Sequence, residues 1–80
     1  MNKITKLCLS LRYLYYVENI SLVDDNLYDL LEAKALKTKS GRDKLDTVGS
    51  DIKESYPDEI ISFSEQLKDE LFLSNYIDSL

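Results

Sequence analysis

Apolar residues recur every three or four positions through most of the chain, and no stretch alternates as a half-buried strand would. In the first segment Ile4, Leu7, Cys8, Leu11, Leu14 and Tyr15 follow that rhythm. Leu9, Tyr13, Tyr16 and Val17 widen the stripe beyond what a surface helix buries. The turn Asn19–Asp24 ends this helix, and Asp24 or Asp25 offers a carboxylate to the free N–H groups that open the next. The second helix is predicted from about Asp25 to Lys37, with Leu27, Leu30 and Leu31 on one side and Lys34, Lys37 and Lys39 gathered toward its negative end. Ser40-Gly41 reads as its stop, and residues 38–50, which hold both glycines, read as a polar connection.

Further on, Asp51-Ile52-Lys53-Glu54 has capping-box-like spacing, with Asp in place of Ser or Thr. Pro57 followed by Asp58 and Glu59 marks a third helix, because proline fits a first turn and acids complement the positive end. Ile60, Phe63, Ser64, Leu67 and Leu71 supply its core stripe, and Phe72, Tyr76, Ile77 and Leu80 carry apolar content to the last residue. So apolar an end is expected to dock on the domain or on a second copy. The expected fold class is all-α: one small helical domain, 1–80, of three or four helices. It comprises a helical hairpin over 1–37, a connection over 38–50 and a C-terminal helical segment over 51–80.

At 80 residues a single core is only marginally stabilising, so a homodimer is expected. The lone Cys8 cannot form an internal disulfide, and with no histidine no zinc cluster or other metal site is expected. Cys8 sits in an apolar run and reads as a small buried hydrophobe. Basic residues precede an apolar stretch at the start, as in a secretion signal, but Arg12 interrupts it and no small-residue cleavage site follows. The lone, unpaired cysteine fits a reducing, cytoplasmic setting, and because no segment reaches the roughly 20 apolar residues of a membrane span, no membrane partner is expected. Residues 1–40 carry six basic and five acidic side chains, and residues 41–80 carry four and ten. That balance argues against direct nucleic-acid binding. It fits a solvated acidic face, or a mimic of DNA that occupies a DNA-binding protein.

The most specific feature is Tyr13-Leu-Tyr15-Tyr16-Val17, a gap of seven residues, then Asp25-x-x-Tyr28-Asp29. Tyr15 and Tyr16 close the first helix, while Asp25, Tyr28 and Asp29 share a face of the second through their i, i+3 and i+4 spacing. A tight hairpin sets rings and carboxylates around one space suited to a flat, positively charged, hydroxyl-rich group. Packing alone, with Asp25 as a cap and Asp29 as a solvated acid, would also explain these residue types.

The stretch LRYLYYVENISLVDDNLYDLLEAKAL resembles the N-terminal Ia module of NAD-dependent DNA ligases, whose motif is roughly Y-x-Y-[YH]-V, seven residues, then D-x-x-Y-D. That resemblance implies a helical hairpin gripping the nicotinamide mononucleotide half of NAD, here through Tyr15, Tyr16, Asp25, Tyr28 and Asp29. Thr47-Val48-Gly49-Ser50 is similar to the segment leading out of that module, but Arg42-Asp43-Lys44-Leu45 stands where the family has Asp-Ser-Pro-Thr. The likeness covers about half the chain and fades after Ser50. The sequence carries no Lys-x-Asp-Gly nucleophile motif, so no enzyme activity is expected. The expectation is a non-catalytic protein-binding module, by compositional analogy a phage or mobile-element accessory protein in the host cytoplasm. It would inhibit a host nucleic-acid-handling or antiviral-defence protein and need no cofactor. Its contact residues would be the exposed aromatics Tyr13, Tyr16 and Tyr28 with the stripe Phe72, Tyr76, Ile77 and Leu80. The alternatives are an NAD or nicotinamide mononucleotide pocket, acting as a sensor or an in-trans ligase part, and the acidic DNA mimic.

Overall fold

A computed structural model describes residues 1–48 and 51–80; Gly49 and Ser50, part of the expected connection and of the ligase-like exit segment, lie outside the described residues. The described chain is all-helical. Five α-helices run in order, α1 (Lys3–Tyr16), α2 (Asp25–Leu36), α3 (Lys39–Thr47), α4 (Asp58–Leu67) and α5 (Glu70–Asp78), with a 3-10 turn at Lys53–Ser55. The sequence pattern predicts only three or four, and the two differences have local causes.

The first is α3, which stands in place of the expected connection. Thr38 closes one helix and opens the next: its hydroxyl donates to the Ala35 carbonyl at 2.7 Å and accepts from the Gly41 N–H at 3.0 Å. Gly41, Leu45 and Val48 then fall at helical spacing and are buried. Gly41 is therefore no stop signal. A β-carbon there would stand 1.9 Å from the Ala35 carbonyl oxygen, so glycine is what lets α3 fold back so tightly against α2.

The second is a break in the C-terminal segment. Asp69 accepts from the N–H groups of Leu71 and Phe72, at 3.0 and 3.2 Å, and starts α5 afresh. The new helix has its own phase, so Leu71 is 70% exposed rather than in the core, and Leu73 is the buried residue of α5.

Helix α1 is the central element, touching α2, α3 and α4, while α5 leans on α4. Being surrounded explains why Leu7, Cys8, Leu9, Leu11, Tyr13 and Leu14 are all buried, a spread too wide for one face. On α2 the buried side runs through Leu31 and Ala35; Leu30, expected on one side with Leu27 and Leu31, is more than half exposed. At the end of α1, Asn19 takes a left-handed φ of 57°, and the Ile20 N–H returns to the Leu14 carbonyl at 2.8 Å. A left-handed residue just past a helix end must tolerate positive φ and is usually glycine, sometimes asparagine. Asn19 turns residues 20–24 back toward α2, whose N-cap Asp24 accepts from the Leu27 N–H at 2.7 Å.

Candidate functional site

The hairpin between α1 and α2 encloses a concave pocket of about 440 Å³, a size that suits a small molecule. Every residue expected there lines it: Tyr15 and Tyr16 from the last turn of α1, and Asp25, Tyr28 and Asp29 from the first two turns of α2. The connecting loop closes one side with Ser21, Leu22 and Val23, and Leu11 lies at the base. Tyr15 and Tyr16 are about half exposed, at 49% and 52%, and meet edge to face with ring centroids 5.0 Å apart. Both residues thus stay half open to solvent instead of being packed into the core. Tyr28 is partly buried and packs against the core.

Two further lining residues, Arg12 and Glu32, are absent from the motif. Helical spacing points to both. Arg12 precedes Tyr15 and Tyr16 by three and four positions, and Glu32 follows Tyr28 and Asp29 by four and three. Arg12 mainly ties elements together: its Nη2 donates to the Leu45 carbonyl at 3.0 Å and also to the Val48 carbonyl, holding the C-terminal end of α3 against α1. Its Nε is buried and has no hydrogen-bond partner among the described residues.

The electrostatics of the pocket favour a cation. Asp25, Asp29 and Glu32 line it against the single positive charge of Arg12, which is already engaged by carbonyl groups. Burial, reinforced by the Glu32 carboxylate, pushes the Tyr28 hydroxyl well above the usual tyrosine range, so the phenol stays neutral. That hydroxyl is buried beside Glu32 without a well-formed hydrogen bond. Cys8 lies beneath, fully buried, and burial with a smaller push from Glu32 raises its thiol to about 12. The thiol is therefore a neutral packing group, as its apolar surroundings in the sequence imply.

The expected interface residues fare unevenly. Tyr13 is not an exposed aromatic: it is 2% exposed and packs edge to face on Tyr56 at 5.2 Å, because the segment leading to Pro57 crosses α1 and covers it. Phe72 and Tyr76 meet Phe63 with centroids 5.7 and 4.9 Å apart, and the Tyr76 hydroxyl donates to the Lys3 carbonyl at 3.0 Å. With Ile77 they are partly buried against the core, so much of the C-terminal stripe docks on its own domain; Leu80 stays 46% exposed. Among the described residues no helix is long and apolar enough to cross a membrane, and no cluster of three or more metal-ligating side chains occurs. No protein-family model matches the chain, and no curated protein or solved structure matches it.

Proposed function

We propose that this chain is a non-catalytic binding module whose hairpin pocket takes the cationic nicotinamide end of nicotinamide mononucleotide or NAD. One observation carries the reading: five residues drawn from two helices, two of them carboxylates, line a single pocket to which Glu32 adds a third carboxylate. Tyrosine faces suit a flat ring, a surplus of carboxylates suits its positive charge, and Asp25 and Asp29 accept hydrogen bonds from ribose hydroxyls or a carboxamide. The site is open on one side and the ligand is small and polar, so association costs leave little surplus. A dissociation constant on the order of 0.1–1 mM is expected for the mononucleotide alone. Weak capture of this kind fits a module that works together with a second protein, as a sensor or an in-trans part.

A second reading, in which the chain binds and inhibits a partner protein, is favoured by the half-exposed Tyr15 and Tyr16 at the rim. Calorimetric titration with the oxidised and the reduced mononucleotide separates the two. Oxidised ligand carries the ring charge and the reduced form does not, so oxidised ligand is expected to bind at least about tenfold tighter, a difference of roughly 1.4 kcal/mol. Equal affinity for both forms, or no heat with either, would leave the partner-protein reading in its place.

A further inference from the structure

A second surface stands apart from the pocket, at the corner where α2 meets α3. Residues 34–44 hold five of the chain's ten basic side chains, Lys34, Lys37, Lys39, Arg42 and Lys44, against one of its fifteen acids, Asp43. All five are exposed, and none forms an ion pair among the described residues. A division of the chain at residue 40 cuts this group in two, which hides it in any count by halves.

Helix electrostatics account for only part of the group. Lys34 and Lys37 sit at the negative end of α2, where cations are favoured. Lys39 and Arg42 instead lie beside the positive end of α3, whose first turn holds no acid. Arg42 reaches back over α2, its Nη1 3.4 Å from the Leu36 carbonyl, which sets its charge beside the Thr38 junction. Fold stability alone would place acids at positions 39 and 42.

We infer that this α2–α3 corner is a docking surface for the phosphate backbone of a nucleic acid, bound without regard to sequence. Lysine is depleted in protein–protein interfaces, and the corner has no aromatic anchor of the kind those interfaces use. Phosphate contacts, in contrast, are made by lysine and arginine with no need for apolar anchors. An aromatic platform for stacking bases is likewise missing from residues 34–44, so contact stays on the backbone. At physiological salt the Debye length is about 8 Å, and the molecule spans 29 × 26 × 22 Å. Acids on the far side are therefore largely screened from a strand lying on this corner.

Fluorescence anisotropy of a labelled duplex, titrated with the whole chain at several salt concentrations, tests this. Binding is expected at about 50 mM salt and should weaken steeply by about 200 mM. Lys39→Gln/Arg42→Gln should lower affinity at least about tenfold at low salt and reduce the log–log salt slope by about 2. Lys53→Gln/Lys68→Gln, which removes the same charge elsewhere, should leave both nearly unchanged. Circular dichroism checks that the variants keep their helices, and Lys34→Gln/Lys37→Gln replaces the first pair if that pair unfolds. No binding at low salt would overturn the inference. So would an equal loss in the control pair, or tighter binding to phosphatidylglycerol vesicles than to DNA.

Discussion

Burial without charge is the theme of the reactive side chains. Cys8 is raised to about 12 from an ordinary 9.0, and Tyr13, Tyr28, Tyr56 and Tyr76 are all pushed upward, each chiefly by burial. For Tyr76 burial is the only cause. Each group is neutral when protonated, and the folded state holds its proton more tightly than the unfolded chain does. Their contribution is therefore complete below the unfolded values, near pH 9 for the thiol and 10 for the phenols, and is lost as pH rises beyond them. Stability to urea should be level to about pH 8.5 and then fall, by up to roughly 1.4 kcal/mol per pH unit for each group that titrates. Cys8→Ala should remove the earliest part of that fall. A stability that stays level to about pH 11 in the parent chain would contradict the burial of these groups.

At the scale of elements, much is legible in the sequence, and the failures share a physical cause. Helices α1 and α2 show clear three-four periodicity, Asp24 is a recognisable cap, and Pro57-Asp58-Glu59 announces α4. The same periodicity brings Tyr15, Tyr16, Asp25, Tyr28 and Asp29 to one pocket. It fails where a short side-chain cap outweighs the usual meaning of a residue. Thr38 makes a helix start of what glycine composition marks as a loop, and Asp69 resets the phase so that Leu71 faces solvent. Tyr13 departs from expectation for another reason: its cover comes from residue 56, a contact no local pattern carries. Gly41→Ala tests the tight α2–α3 corner, since the new methyl would meet backbone at 1.9 Å and not a movable side chain. A loss of about 1–3 kcal/mol is expected, lowering the melting temperature by roughly 4–8 °C for each kcal/mol. An unchanged melting temperature would mean that α3 does not pack against α2 so closely.

For the molecule as a whole, α1 is the organising piece: one end supplies Tyr15 and Tyr16 to the pocket, and its Arg12 holds α3 in place. The pocket and the basic corner therefore belong to one framework but occupy different surfaces, and they can be lost separately by substitution. The homodimer expected from the apolar C-terminus has less surface to draw on, because Phe72 and Tyr76 are already packed on Phe63. The nicotinamide pocket is the central claim, and thermal unfolding with and without nicotinamide mononucleotide tests it most directly, beside a Tyr28→Ala/Asp29→Ala variant. Ligand at about ten times its dissociation constant adds roughly 1.4 kcal/mol to a single-site protein, a rise of about 6–11 °C for a domain this small. That rise in the parent chain, absent from the folded variant, is the expected result. No rise in the parent, or the same rise in both, would contradict a ligand site between Tyr15, Tyr28 and Asp29.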